Sequence, residues 1–286
     1  MTSRPGSKVR ARVQTYRDGR PHPRSDQLAT EEPLEIRIAT GSGTHTVAIT
    51  MRTPGTDFEL AAGFLHGEGV VRNRENIRRM TYCTDPEVDQ EQRYNIVNVE
   101  LANGVDPDLR PLERHFTTTS ACGVCGKAHL DQLDLDGCAP LPPGPTVEID
   151  TLYALPDLLR GGQGLFEVTG GLHAAGLFTV GGDLLAARED VGRHNAVDKL
   201  FGWSLLEGQL PAHECILMNS GRSSYEILQK ALTAGVPIVC SVSAPSSLAV
   251  ELAARFGITL VGFLRDRRCN VYAGAERIRS GVLTGS

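Results

Sequence analysis

The second half of the chain alternates short apolar runs with segments of helical length, and this alternation restricts the fold more than any other feature. The apolar runs cover residues 215–218, 238–242 and 258–263. The segments between them place apolar residues at helical spacing, and Gly235 and Gly257 stand where such helices would end. This alternation favours a three-layer α/β domain with a largely parallel sheet.

A hairpin and a helix are predicted just before this alternation. Residues 172–180 and 184–188 flank the segment 181–183, Gly-Gly-Asp, which is typical of a tight turn between antiparallel strands. Apolar residues over 196–203 then recur at helical spacing.

The first half predicts a smaller, mainly β domain. Residues 34–38 and 45–51 alternate apolar and polar side chains around a glycine-rich turn, which indicates another hairpin. Thr56 and Glu59 have the spacing of a capping box, so a helix is expected to begin there. The proline-rich segment 140–145 then interrupts regular structure.

We therefore predict a boundary near residue 145, between an N-terminal domain over 31–145 and a second domain over 146–286. Residues 1–30 are expected to form a disordered basic arm, because the first 24 residues contain seven basic side chains and one acid. This arm has no apolar segment and is not a secretory signal.

Composition argues against two classes of function. Since the whole chain carries a formal charge of −5, the residues after the first 24 carry −11 and form no basic stripe, which argues against general nucleic-acid binding. No stretch approaches the roughly 18 apolar residues of a membrane span, so no membrane association is expected.

The chain has seven cysteines, an odd number, which points to a reducing compartment and predicts a cytoplasmic protein. Only Cys122 and Cys125 form a close pair. Their segment lacks an apolar face and has glycines around the second cysteine, so we expect an exposed, mobile loop.

Four interpretations of this pair remain open. With His129 and Cys138 it would form a zinc site at unusual spacing, which would make the chain a non-catalytic zinc-binding module. It would otherwise be a dithiol redox centre, a pair without function, or a sulfur carrier. A carrier needs a nucleophilic thiolate on a movable segment, and Lys127 would favour the ionised thiol.

Two loops that follow predicted strands suit an anion. Residues 219–223 and 241–246 are rich in small and hydroxyl side chains at predicted helix N-termini, where backbone N–H groups favour phosphate. Ser220, Arg222 and Ser243 are the candidate ligands. Plain helix capping is the alternative.

A polar cluster lies where the second hairpin turns into a helix. It extends from Arg188 to His194 and includes Glu189, Asp190 and Arg193. A capped turn with ion pairs and direct contact with a ligand explain it equally well, and His194 is the candidate ligand-binding residue.

Several blocks of the sequence resemble the family of formate dehydrogenase accessory sulfurtransferases. They occur in the family's order and together span about residues 34–275. The blocks are 52–69, 122–126, 187–199, 220–226, 243–246 and 262–265.

This resemblance implies that a cysteine desulfurase supplies persulfide sulfur to Cys122. The sulfur would pass to a molybdenum cofactor in its bis(molybdopterin guanine dinucleotide) form, on behalf of a formate dehydrogenase. Cys125 would assist release. The resemblance also implies a homodimer and a cytidine-deaminase-like second domain.

The resemblance further associates residues 263–268 with cofactor binding, and GDP would mimic the ends of the cofactor. These candidate residues are Phe263, Leu264, Arg265, Asp266, Arg267 and Arg268.

A zinc-dependent deaminase is the enzymatic alternative for such a fold. Those enzymes need His-x-Glu followed by Pro-Cys-x-x-Cys. Here the order at His213 is His-Glu-Cys, and the cysteine pair lies upstream without a preceding proline. No bound metal is therefore expected.

Overall fold

The computed structural model of the chain describes residues 6–40, 43–90, 92–105 and 138–280. Within these ranges the chain forms fourteen β-strands and six α-helices. None of the helices in the described ranges combines the length and the apolar character needed to cross a membrane.

The fourteen strands are numbered in chain order. They are β1 (Lys8–Arg17), β2 (Arg20–Ala29), β3 (Glu32–Thr40), β4 (Gly43–Arg52), β5 (Ile77–Tyr82), β6 (Ile96–Leu101), β7 (Val147–Glu148), β8 (His173–Thr179), β9 (Leu184–Asp190), β10 (Cys215–Asn219), β11 (Ile238–Ser241), β12 (Thr259–Arg265), β13 (Arg268–Ala273) and β14 (Ile278–Arg279). The helices are α1 (Asp57–Gly67), α2 (Ile149–Gly161), α3 (Gly164–Thr169), α4 (Arg193–Leu206), α5 (Tyr225–Thr233) and α6 (Ser247–Phe256).

The second half is built on a six-stranded sheet in the order β13-β12-β11-β10-β8-β9. The central strands β10, β11 and β12 are parallel, whereas the remaining pairs are antiparallel. The expectation of a largely parallel sheet is therefore wrong, because only the central strands are parallel, whereas the predicted hairpin of β8 and β9 is confirmed. Short turns join β8 to β9 and β12 to β13, and a short turn can connect only antiparallel neighbours.

Helices cover both faces of this sheet, which confirms the predicted three-layer α/β arrangement. Leu217, Val239 and Leu260 point towards α4, α5 and α6 in one core. Ile216 and Ile238, their neighbours in sequence, point towards α2 in the other core. The alternation follows from the period of two along a strand.

The first half contains a four-stranded sheet in the order β4-β3-β6-β5, with α1 packed on it. The predicted hairpin over β3 and β4 is confirmed. The capping box is not formed, because the Thr56 side chain makes no capping hydrogen bond. The Glu59 carboxylate instead accepts two hydrogen bonds from Arg188. A tertiary ion pair therefore takes the place of the expected capping hydrogen bond.

The structure also differs from the expectation of a disordered arm over residues 1–30. Residues Lys8–Arg17 and Arg20–Ala29 pair as an antiparallel hairpin. Its turn is Asp18-Gly19, and both residues have positive φ, 49° and 75°. Asp-Gly at positive φ is the preferred two-residue turn of a hairpin, a local signal that outweighed the basic composition.

Candidate functional site

Four connecting segments meet at one edge of the six-stranded sheet. β10, β11 and β12 are parallel, so their carboxyl ends, Asn219, Ser241 and Arg265, lie at the same edge. β8 is antiparallel to β10, and β9 to β8, so β9 also ends there, with Asp190 opposite His173. Ligands of such sheets bind outside the carboxyl ends of the strands.

The segment after β10 is held tightly against β8. Ser220 donates its backbone N–H to the carbonyl of Ala174 at 2.9 Å, and its Oγ accepts from the Ala174 N–H at 2.9 Å. Asn219 is buried and accepts the Gly221 N–H on its Oδ1 at 2.8 Å. The Ser220 hydroxyl therefore has a structural partner and keeps its hydrogen and one lone pair for a ligand.

Two arginines beside this segment keep N–H groups without a hydrogen-bond partner. Arg222 is exposed and makes no hydrogen bond or ion pair with any part of the chain that the structure describes. The Nε of Arg193 is buried and without a partner in the same ranges. A Cβ on Gly221 would lie 3.3 Å from the Cδ of Arg193, so glycine admits the arginine side chain here. Burial and the nearby Arg193 and His194 lower the pKa of His173.

His194 forms a cluster with the first turn of α5. Its Nε2 lies 3.1 Å from the Ser224 Oγ and 2.9 Å from the Glu226 Oε2, and the Ser224 hydroxyl donates to the same carboxylate oxygen at 3.0 Å. The hydrogen bond with His194 lowers the pKa of Glu226 to about 2, so this carboxylate is ionised at neutral pH. His194 and Glu226 remain partly exposed, within reach of a ligand.

The segment after β11 is cross-linked to its neighbours. Ser241 donates its hydroxyl to the Ser243 carbonyl at 2.8 Å, and the same carbonyl accepts the Phe263 N–H at 3.2 Å. Ser246 caps α6 by accepting the Ala249 N–H at 3.2 Å. Capping therefore accounts for Ser246, whereas the Ser243 hydroxyl has no partner among the residues described.

Residues 263–268 divide into buried and exposed members. Phe263 has φ of 52°, and the register of β12 with β13 shifts between Gly262 and Arg265. This bulge turns Leu264 into the core below α2, where it is 0% exposed. The assignment of Leu264 to cofactor binding is therefore wrong for its side chain.

The other members of this stretch are accessible. Arg265, Asp266, Arg267 and Arg268 are exposed around the turn between β12 and β13. Arg267 forms an exposed ion pair with Asp150 and lies 5.1 Å from the centre of the Tyr153 ring. Arg265 and Arg268 have no hydrogen-bond or ion-pair partner within the described ranges.

The polar cluster after β9 has two separate roles. Asp190 is fully buried, and its carboxylate binds the Lys199 ammonium at 2.7 Å and the Thr53 N–H at 3.0 Å. Lys199 also donates to the Thr53 carbonyl at 2.7 Å. The Glu189 carboxylate accepts the backbone N–H groups of Leu165 and Phe166 in the first turn of α3.

Arg188, Glu189 and Asp190 therefore join parts of the fold, as the capped-turn interpretation expected. Arg193 and His194, at the start of α4, face the edge where the loops meet. Sequence patterns did not single out Glu226, although it lies in a block that carried the family resemblance.

The cysteine pair lies outside the described residues, as do Lys127 and His129. Cys138 is partly buried against the core of the second half. Burial raises the pKa of Cys215, Cys240 and Cys269, which keeps these thiols protonated and poorly nucleophilic. Among the described residues, no group of three or more His, Cys, Asp or Glu side chains is arranged to hold a metal ion.

A separate cleft of about 870 Å³ lies beside β3 in the first half. Its arginines are already engaged, because Arg37 pairs with Glu35 and Arg93 donates to the carbonyls of Val88 and Pro86. It is a poorer anion site than the edge of the large sheet.

Comparison with known proteins gives a consistent result. The model of the FdhD/NarQ family matches residues 29–279. A sulfur carrier protein FdhD from Streptomyces coelicolor is 52% identical over 96% of this chain and 97% of its own length. One from Nocardia farcinica is 52% identical over 90% of each chain.

A solved structure is also similar. It is the crystal structure of a candidate formate dehydrogenase accessory protein from Desulfotalea psychrophila. The two chains are 26% identical, with a TM-score of 0.73, and the match covers 95% of this chain and 99% of the other.

Proposed function

Since the chain belongs to the FdhD/NarQ family, we propose that it carries sulfur as a persulfide on Cys122 and delivers it to a molybdenum cofactor for a formate dehydrogenase. The observation that supports this best is the edge of the six-stranded sheet. Arg222, Arg265 and Arg268 lie at or just after strand ends at this edge and have no ion-pair partner among the described residues, and the buried Nε of Arg193 has no hydrogen-bond partner there.

Loading of the carrier is a transfer of one sulfur atom. The Cys122 thiolate attacks the outer sulfur of a persulfide on a cysteine desulfurase. A new bond forms between that sulfur and the Cys122 Sγ, while the bond to the desulfurase cysteine breaks and its thiolate leaves. No net oxidation occurs in this step.

Delivery as sulfide requires two electrons, and Cys125 supplies them. Its thiolate attacks the Cys122 Sγ, the terminal sulfur leaves as sulfide to the acceptor, and a disulfide joins the two cysteines. A cellular dithiol then reduces that disulfide and restores the carrier.

The acceptor, a bis(molybdopterin guanine dinucleotide) form of the cofactor, has pyrophosphate groups and guanine ends. Arginine binds phosphate oxygens in a bidentate manner, so Arg222 and Arg265 suit the pyrophosphates. Phe263 is partly buried beside them and offers a ring for stacking. His194 and Ser243 add hydrogen-bonding groups at the same edge, and GDP serves as a minimal mimic.

The remaining parts of the proposal concern partners. The protein would act in the cytoplasm as a homodimer, with a cysteine desulfurase as donor and a formate dehydrogenase as the enzyme served. The names of the related proteins support the carrier role, and the family resemblance supplies the donor and the acceptor.

Mass spectrometry tests the carrier role. Incubation with a cysteine desulfurase, cysteine and pyridoxal phosphate should add about 32 Da per bound sulfur, located at Cys122 by peptide mapping. The Cys122→Ser variant should lose the added mass, whereas Cys215→Ser, which removes a half-buried thiol, should retain it. Sulfur found only on Cys215 or Cys240 would overturn the assignment.

A further inference from the structure

The hairpin of β1 and β2 is a long ribbon that the described fold leaves uncovered. No residue from Lys8 to Ala29 is buried, although β2 contacts α3. Its large apolar side chains are exposed, Val9 by 54%, Tyr16 by 66% and Leu28 by 45%. An isolated two-stranded hairpin is at best marginally stable in water, so a ribbon of this length needs a surface to lie on.

One face of the ribbon is basic. Alternate residues of a strand point to the same side, so Lys8, Arg10 and Arg12 of β1 lie in one row. Alternate residues are about 7 Å apart along a strand, so the row extends for about 14 Å. All three side chains are exposed, and none forms an ion pair with the part of the chain that the structure describes. On the opposite face of the same strand, Ala11 and Val13 are half-buried.

The charge of the ribbon is opposite to that of the remaining chain. Residues 8–29 contain six basic and two acidic side chains, a formal charge of +4. Since the chain as a whole carries −5, the other residues carry −9. A second copy of this chain therefore presents an acidic body to the basic ribbon, and complementary charge accelerates and orients association.

The area also fits a dimer. A strand of ten residues is about 33 Å long, and a two-stranded ribbon is about 10 Å wide, so one face covers about 330 Å². Reciprocal docking of two ribbons would bury four such areas, about 1,300 Å² in total, which lies within the usual range for a specific interface.

We propose that the hairpin of one copy docks on the acidic body of a second copy, in a reciprocal exchange that holds the dimer together. The inference rests on the proposed homodimer and adds the element that forms it. All of the hairpin except Ala29 lies outside residues 29–279, which match the family model.

Sedimentation velocity on the full chain tests this proposal. The wild type should be a dimer at micromolar concentration, and its dissociation constant should rise between 50 and 500 mM NaCl because salt screens the charge pairs. The triple variant Lys8→Glu, Arg10→Glu, Arg12→Glu should dissociate at least tenfold more readily. The matched control Arg72→Glu, Arg79→Glu, Arg279→Glu makes the same charge change at exposed positions elsewhere and should remain dimeric.

Circular dichroism and the persulfide assay should be unchanged in both variants, which separates assembly from folding and from sulfur transfer. Equal dissociation of the triple variant and its control would overturn the role of the hairpin while leaving the homodimer intact. A monomeric wild type would overturn both. A labelled DNA duplex that bound the wild type but not the triple variant, with no change in dimerisation, would assign the ribbon to nucleic acid and would also refute the proposal.

Discussion

Gly63 of α1 and Gly202 of α4 lie against each other where the two halves of the protein meet. A Cβ on Gly63 would be 1.8 Å from the carbonyl oxygen of Asp198, and a Cβ on Gly202 would be 1.8 Å from the carbonyl oxygen of Glu59. The two helices are therefore in backbone contact. Arg188 of β9 secures the same crossing through its ion pair with Glu59.

Replacing Gly202 with alanine should force these helices apart. Because the obstructing atoms belong to the backbone, no side-chain rotation relieves the clash, and we expect Gly202→Ala to lower the free energy of unfolding by about 3 kcal/mol. Urea denaturation measures the change. Gly161→Ala is the matched control, since its Cβ would meet nothing within 4 Å near the end of α2. That variant should be neutral or stabilised by up to about 1 kcal/mol, and equal effects of the two substitutions would refute the backbone contact.

The buried pair of Asp190 and Lys199 should be important for folding. Asp190→Asn would leave the Lys199 ammonium buried without its counter-ion, so we expect a loss of about 3–5 kcal/mol in urea denaturation. Asp150→Asn removes the carboxylate of the exposed pair with Arg267 and should cost less than about 1 kcal/mol. A small loss for Asp190→Asn would mean that Lys199 finds another partner.

Glu226 should make the stability of the protein depend on acid pH. Its pKa falls from the ordinary 4.5 to about 2 through the hydrogen bond with His194. The unfolded chain therefore takes up a proton first as pH falls. The stabilisation of the folded state by the Glu226 carboxylate is complete above about pH 4.5 and is lost between pH 4.5 and 2. Because the side chain is 60% exposed, solvent screening limits the contribution to about 1 kcal/mol.

The comparison of wild type with Glu226→Gln isolates this effect, because the other carboxylates titrate in both proteins. The difference between their free energies of unfolding should be largest near pH 7 and should vanish near pH 2. A difference that stays constant over this range would contradict the interaction of His194 with Glu226.

The candidate cofactor site should bind GDP through Arg265. Loss of a ligating arginine costs on the order of 2–4 kcal/mol, so Arg265→Ala should weaken binding at least tenfold in calorimetric titration. Arg279→Ala removes an exposed arginine on β14 and should bind as the wild type does. No binding by the wild type, or equal binding by both variants, would refute this site without affecting the role proposed for Cys122.

Local patterns predicted most elements of the fold because they act between close neighbours. Alternation with period two placed β3 and β4, continuous apolar runs placed β10 to β12, and the glycines after α5 and α6 marked where those helices end. The prediction failed for residues 1–30, which were expected to be disordered, although the Asp18-Gly19 sequence is itself a local hairpin signal.

The ordered blocks of the chain likewise determined its family and directed attention to Cys122, which lies outside the described residues. Only the tertiary structure decided which polar residues are available at the edge of the sheet. Asp190 and Arg193 are three residues apart, yet one binds Thr53 in the interior and the other faces the loops after β10, because their partners lie far away in sequence. Leu264 was assigned to the site by resemblance, but the bulge at Phe263 reverses the alternation of β12 and buries it. A sequence pattern records the type and spacing of side chains, whereas the direction in which each one points depends on backbone geometry and on contacts between distant segments.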